Sequence, residues 1–297
     1  MDNLITLYQH RLHLPKAHFS LIDHEDAMVA TVFKVTQPNG KQLILKICSR
    51  AGDYWREAYF LKHFAGKLPV PRIHQLVPPE EGMHGAILME CLHGELLKIA
   101  DLSHKLSYEM GSFLARIHLE RVTGYGDLTQ PDQSSSDPRV HFTLKFEEGL
   151  EECRNHLSDV LMQKCRLYFD KHLDLLLAAD GPCIIHRDFR PGNLIVDHGK
   201  LQGIIDWSSA RGGFAEEDFC PWELGEWSAD PALKNAFLEG YASVRRIPDY
   251  RDIMPLLRLS RAIASIGFTV KRGTWESRNA KIYQFSRQFL DSLLSSL

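Results

Sequence analysis

The sequence predicts an α+β chain of two lobes, a β-rich N-terminal lobe followed by a mainly helical one. Two observations carry this. Short apolar runs separated by turn signals dominate up to residue 92, and longer segments with helical spacing dominate after it. The length of 297 residues suits two lobes sharing one ligand cleft. We divide the chain into a lobe of residues 1–92 and a lobe of residues 93–297, with the change of pattern at 90–94.

In order, ATVFKV and KQLILKIC read as strands around TQPNG. Asn39-Gly40 marks the hairpin, because both residues tolerate positive φ. DYWREAYFLKHF repeats apolar residues at helical spacing and ends near Gly66, with Pro69 and Pro71 stopping it. IHQLVP and GAILMECL read as two more strands. LSYEMGSFLARIHLERV then places Leu106, Met110, Phe113, Leu114 and Ile117 on one helix face. GYGDLTQPDQSSSDPR is polar and rich in Pro, Gly and Ser, which predicts a mobile surface loop. Helical periodicity returns over 141–179. CIIHRDFRPGNLIVDHGKLQGIIDW reads as strand, loop, short strand, turn and strand, and helices follow from Pro231.

Composition narrows the class. Apolar residues at 44% and charged residues at 25% fit an ordinary soluble domain able to bury a core. A net charge of −3 gives no reason to expect a nucleic-acid partner. No apolar run reaches membrane-spanning length, so no membrane partner is expected. The N-terminus lacks the basic start and apolar run of a secretory signal. Cys48, Cys91, Cys153, Cys165, Cys183 and Cys220 form no CxxC pair and mostly sit among apolar neighbours. They are expected as buried thiols in a reducing cytoplasm.

The chemistry concentrates in 186–207, HRDFRPGNLIVDHGKLQGIIDW. Phosphoryl transfer needs a carboxylate to orient a hydroxyl and take its proton, and oxygen ligands to hold magnesium against phosphates. Asp188 is the candidate for the first task. Asn193, after a Pro-Gly turn, and Asp206, at the end of an apolar strand, are candidates for the second. His186 is expected to brace the loop. In the first lobe, Lys46 lies inside LILKIC and faces away from Leu45 and Ile47. An ammonium there needs an anion, and nucleotide phosphates would supply one. Glu57 on the following helix is its candidate partner.

These pieces resemble the aminoglycoside phosphotransferase family, which includes choline-kinase-like small-molecule kinases. The matching stretches are LILKIC, REAYFLKHF, LPVPRI, AILMECLHGELL, FLARIHLE, HRDFRPGNLI and GIIDW, with FLEGY a later and weaker one. The resemblance implies a two-lobed protein-kinase-like fold with ATP between the lobes. It implies Asp188 as catalytic base and Asn193 and Asp206 as Mg2+ ligands. It also implies that Lys46 contacts the phosphates, paired to Glu57, and that the backbone of Met89, Glu90, Cys91 and Leu92 binds adenine. Arg190 stands where protein kinases carry a lysine near the γ-phosphate. The resemblance also implies a small-molecule hydroxyl as the acceptor, and the family is often monomeric or dimeric.

Two departures stand out. Arg187 replaces the family's usual Gly, giving HRD as in protein kinases, yet no DFG or APE follows. The stretch DHEDAMVATVF, expected to cover the phosphates, contains no glycine. Three readings therefore compete: a small-molecule kinase, a protein serine/threonine kinase, and a pseudokinase scaffold. The complete set of Lys46, Asp188, Asn193 and Asp206 favours the first, with GTP an alternative donor to ATP.

Other features carry two readings each. Glu216, Glu217, Asp218, Glu223, Glu226 and Asp230 form either an acidic rim for a polyamine or a solvated face. Asp218 is also a candidate to support the catalytic loop. Basic residues outnumber acidic ones over 241–275, which keeps neutral or anionic acceptors open. His118 reads as a packed structural histidine. His10 and His13 read as a solvated pair or a metal pair on one helix face. Trp222 and Trp227 read as packing residues or as a cage for a quaternary amine.

Overall fold

The computed structural model describes residues 2–22, 30–221 and 230–295. Its elements run α1 (Asp2–Arg11), β1 (His18–Leu21), β2 (Ala30–Thr36), β3 (Gln42–Cys48), α2 (Ala51–Phe64), β4 (Ile73–Val77), β5 (Gly85–Glu90), β6 (Glu95–Leu96) and α3 (His104–Leu119). They continue with α4 (Pro138–Glu152), α5 (Asp159–His172), β7 (Cys183–Ile185), β8 (Leu194–Asp197), β9 (Lys200–Ile204), β10 (Arg211–Gly213), α6 (Pro231–Ala242), α7 (Met254–Lys271) and α8 (Ala280–Leu294). The chain forms two compact units. One comprises Met1–Ala115, His186–Arg211 and Pro231–Val244; the other comprises Arg116–Ile185, Gly212–Asp230 and Arg245–Leu297.

In the first unit, β1 to β5 make an antiparallel sheet in the order β1-β2-β3-β5-β4. The turn at Asn39-Gly40 closes the β2–β3 hairpin: Gly40 has φ of 82°, and the Asn39 side chain accepts from the Lys41 amide. Strand alternation sorts the sheet into two faces. Phe33, Val35, Leu43, Leu45, Ile47, Ala86 and Leu88 bury one face together with Tyr8 and Leu12 of α1. Lys46, opposite Val32 and Ile87, belongs to the other face. A second sheet, β6-β8-β9, carries the segment between the two halves of the motif. Helices α3 and α6 cross without side chains between them. A Cβ on Gly111 would lie 1.9 Å from the Phe237 carbonyl oxygen, and one on Gly240 would lie 1.9 Å from that of Tyr108. The predicted face of α3 is buried at Leu106, Met110, Leu114 and Ile117, while Phe113 is half-buried.

In the second unit, Phe142 and Phe146 of α4 stack on Phe169 of α5, with centroids 5.8 and 3.8 Å apart. Leu150, Ile263, Ile266 and Leu290 complete a buried core. Among the described residues no helix is long and apolar enough to cross a membrane. None of the six cysteines is in a disulfide; Cys91 is half-buried and the others are buried, as their apolar neighbours predicted.

Several expectations need correction. The 124–139 segment is not simply a surface loop. Tyr125 and Gly126 bridge to Ser135 and Gly212, which buries 124–126, and Tyr125 packs near Phe214 at 6.4 Å. His10 and His13 do not share a helix face, because α1 ends at Arg11 and His13 has a left-handed φ of 54°. The acidic stretch is not a continuous rim, since Glu216 and Asp218 are buried. Trp222, Glu223, Glu226 and Trp227 lie outside the described residues, as does most of the glycine-free phosphate loop, 23–29. Strand β1 was not foreseen, and α1 only as the helix face considered for His10 and His13.

Candidate active site

Every predicted residue of the nucleotide and catalytic set falls in the first unit. Lys46 on β3 is 9% exposed, and its Nζ donates to Glu57 Oε2 and Asp206 Oδ1, both at 2.8 Å. Strand alternation buries this ammonium, and α2 and the end of β9 bring it two carboxylates. Burial works against the charged lysine, but the fields of Asp206 and Glu57 outweigh it and raise its pKa. Asp206 is also penalised by burial, yet the Lys46 charge, their hydrogen bond and the Ser208 hydroxyl hold its carboxyl below the usual range. Burial pushes Glu57 up, against the pull of Lys46. The cluster thus presents a charged ammonium and an ionised Asp206.

The turn after β9 is held from α2. Trp207 is fully buried, 4.7 Å from the Phe64 ring and 6.1 Å from that of Phe60, and its indole donates to the Ile204 carbonyl. Its backbone N–H bonds to Glu57. Asp206 itself adopts a left-handed conformation, φ 63° and ψ 67°, which is unfavourable for a residue with a Cβ and persists only where neighbours enforce it.

The catalytic loop is tied to the same strand end. His186 Nδ1 accepts from the Asp188 amide at 3.3 Å, while Nε2 lies 3.2 Å from the Ile205 carbonyl and must donate to it. That pattern defines the neutral Nε2–H tautomer. Asn193 Nδ2 donates to the Asp188 carbonyl at 2.8 Å and to Asp188 Oδ2 at 2.7 Å. Two acceptor partners identify this atom as the amide nitrogen. Arg190 Nε donates to Asp188 Oδ1 at 3.2 Å. Arg187, like Asp206, is left-handed, with φ of 67°.

A cavity of about 380 Å³ collects these groups. Lys46, Glu57, Asn193 and Asp206 line it beside Met89, Glu90, Cys91 and Leu92, with Val32, Ile44, Leu96, Ile195 and Ile205 supplying apolar walls. Asp188 and Arg190 are not lining residues; Asp188 is joined to the cavity through Asn193. The Glu90 amide is already bonded to the Arg72 carbonyl at 2.8 Å, so that donor is committed within the sheet. Sequence reasoning missed Asp53 and Ser208, which also line the cavity. The Arg50, Asp53, Arg56 spacing of three on a helix was the available signal for Asp53. Asp218 lies in the second unit, where its Oδ2 is 3.1 Å from His118 Nε2 and both side chains are fully buried. His118 is therefore packed, as expected.

The residues fit a magnesium-bound nucleotide. Lys46 and Ser208 both bond Asp206 at Oδ1, which leaves Oδ2 to ligate. Asn193 commits Nδ2, which leaves its Oδ1. Magnesium takes few protein oxygens and keeps water and phosphate in its shell. Among the described residues no group of three or more His, Cys, Asp or Glu suited to a metal occurs.

The antiparallel sheet followed by a largely helical chain defines a two-lobed, protein-kinase-like fold. The crystal structure of aminoglycoside phosphotransferase APH(4)-Ia matches it with a TM-score of 0.75 at 14% identity, covering 100% of this chain and 99% of that one. The ternary complex of a thermostable mutant of the same enzyme with AMP-PNP and hygromycin B gives 0.72 at 16% identity, over 96% and 97%. Spectinomycin phosphotransferase APH(9)-Ia in complex with ADP and spectinomycin gives 0.64 at 16% identity, over 100% and 98%. The chain belongs to the phosphotransferase enzyme family, whose model matches residues 24–256. Hygromycin-B 4-O-kinase of Escherichia coli is 22% identical over 198 residues, 59% of this chain. The chain spans about half the length of that curated relative, 53%.

Proposed function

We propose that this protein is an ATP-dependent phosphotransferase that moves the γ-phosphoryl group to a hydroxyl of a small molecule. The observation that carries the reading is that Lys46, Asn193 and Asp206 line a shared cavity, with Asn193 bonded to Asp188. In this reading Lys46, held by Glu57, neutralises nucleotide phosphates. The 89–92 backbone meets the base, with the Glu90 carbonyl and the Cys91 and Leu92 amides as the groups to do so. Asn193 Oδ1 and Asp206 Oδ2 hold magnesium, which supplies charge neutralisation at the phosphates when bound. Asp188 accepts the acceptor's hydroxyl proton as the new O–P bond forms and the bond to the β-phosphate oxygen breaks. Its carboxylate is aimed by Asn193 and Arg190, and His186 fixes the loop by bonding on both ring nitrogens. Asp218 is kept as a structural support, with its buried pair to His118 as the observation behind it. We keep residues 1–92 as the nucleotide-binding lobe and 93–297 as the lobe of catalytic and acceptor-binding elements.

The related enzymes act on hygromycin B and spectinomycin, so the acceptor class we propose is an aminoglycoside-like or other amino/hydroxy compound. Six cysteines without a disulfide are what a reducing cytoplasm would leave, and we place the protein there. We further propose that it acts as a monomer or homodimer, without a nucleic-acid or membrane partner. The test is ADP release from Mg-ATP, and GDP release from Mg-GTP, across aminoglycosides, macrolides, choline, sugars and homoserine. Stimulation by one class identifies the acceptor. No stimulation by any, together with no nucleotide binding in calorimetry, overturns the reading.

A further inference from the structure

Asp206 is a strained residue that must present one oxygen to a cation, and the chain around it is short. Asp206, Trp207 and Ser208 are held by consecutive residues of α2. Glu57 bonds Lys46 and the Trp207 amide. Arg56, one position earlier, reaches the far end of the turn, where its Nε donates to the Ser208 carbonyl at 2.6 Å. The guanidinium is itself aimed. Its Nη2 donates to Asp53 Oδ1 at 2.6 Å, and Asp53, 3% exposed, receives Arg50 Nε on its other oxygen at 2.8 Å. Ser208 returns the constraint to Asp206, its hydroxyl donating to Oδ1 at 2.8 Å.

We propose that Arg56 is a positioning residue for the metal ligand Asp206: Asp53 aims it, and it acts through Ser208 to hold the left-handed turn that leaves Asp206 Oδ2 facing the cation. The inference rests on the phosphotransferase reading and extends it to a residue that touches neither nucleotide nor metal. A lysine cannot replace it fully. The guanidinium donates to the Ser208 carbonyl and the Asp53 carboxylate at once in a fixed plane, whereas an ammonium is a point charge on a flexible stem. A merely structural arginine would affect folding or all ligand binding alike. A positioning arginine affects the part of nucleotide affinity that depends on the metal, because only Asp206 Oδ2 is displaced.

The experiment is calorimetric binding of AMP-PNP with and without Mg2+ to the full-length protein and to Arg56→Met, Arg56→Lys and Ser208→Ala, with thermal unfolding alongside. We expect Arg56→Met to lose about tenfold of the Mg2+-promoted affinity, on the scale of removing an outer-shell partner of a metal ligand. Metal-independent affinity should stay at the wild-type value. Arg56→Lys should recover part of the loss, and Ser208→Ala, which removes only the hydroxyl leg, should show a smaller loss of the same kind. Wild-type Mg2+ dependence in Arg56→Met, or equal loss with and without Mg2+, overturns the inference. If Arg56→Met fails to fold, the decision passes to Ser208→Ala, and an unchanged Mg2+ dependence there overturns it. Failure of the underlying reading is distinguishable: the wild-type protein itself would then show no Mg2+-promoted binding.

Discussion

Two ionic clusters, one in each unit, set carboxylates against cations to opposite ends. In the first unit, Lys46 is shared between Glu57 and Asp206, and the Asp206 side chain keeps 41% of its surface exposed at a cavity wall. In the second, Asp180 accepts from Arg121 at 2.9 Å and from Arg245, whose other arm bonds the His118 carbonyl. Glu216 spends both carboxylate oxygens on the Asp180 amide. There the protein satisfies its own charges. In the first unit it leaves one carboxylate oxygen and one amide oxygen uncommitted beside an ammonium, which is the condition for binding something else.

The largest expected effect tests the uncommitted side. Asp188→Asn should lower kcat about a thousandfold, the scale of losing a general base, while calorimetry finds nucleotide affinity retained. A parallel loss of affinity would remove Asp188 from the role of base. Next comes Lys46→Met, which leaves Glu57 buried without its partner. Its cost at neutral pH should be about 3 kcal/mol, read by urea unfolding. Burial raises the Glu57 pKa, so its protonated form favours the folded state below the ordinary carboxylate range and that support fades as pH rises. The deficit should therefore shrink at acid pH. A deficit independent of pH would mean that Glu57 stays ionised without Lys46.

The self-satisfied cluster has its own pH signature. Burial pushes Glu216 up to about 7, and its hydrogen bond to the Asp180 amide only partly opposes this. A raised carboxyl stabilises the fold fully below the unfolded value, and that contribution is lost as pH climbs through about 7. Over that window the change is on the order of 3 kcal/mol. Glu216→Gln should flatten unfolding free energy against pH there, and an unaltered curve would deny Glu216 this role. The smallest effect belongs to Arg121→Ala. Its side chain is 53% exposed and Arg245 still serves Asp180, so under about 1 kcal/mol should be lost. Nucleotide affinity should not change, and a large loss would couple the two clusters.

The site was legible where chemistry is written locally. A carboxylate, an amide five residues on, and a second carboxylate at a strand end can be read as a string, and β alternation turned Lys46 away from the core. Glu57 followed from the helix after that strand. What could not be read was burial set by distant contacts. Glu216 counted as acidic surface in the sequence, yet the Asp180 amide, far along the chain, draws it inside. Asp218 was weighed as a support as well as a surface charge, but its partner His118, 100 residues away, was not readable. Tyr125 and Gly126 sat in a polar stretch, but their backbone groups pair with Ser135 and Gly212. Arg56 carried no signal beyond its helix, because its partner is a carbonyl 152 residues away.

The sulfur of Cys91 has a practical consequence. Five thiols are buried, and Cys91 alone of the six is half-open, on the wall shared with Met89 and Leu92. A small alkylating reagent should therefore modify one cysteine ahead of the rest, and a nucleotide filling the cavity should slow that modification. The rate of labelling then becomes an occupancy gauge built into the native chain, readable by mass spectrometry before any acceptor is known.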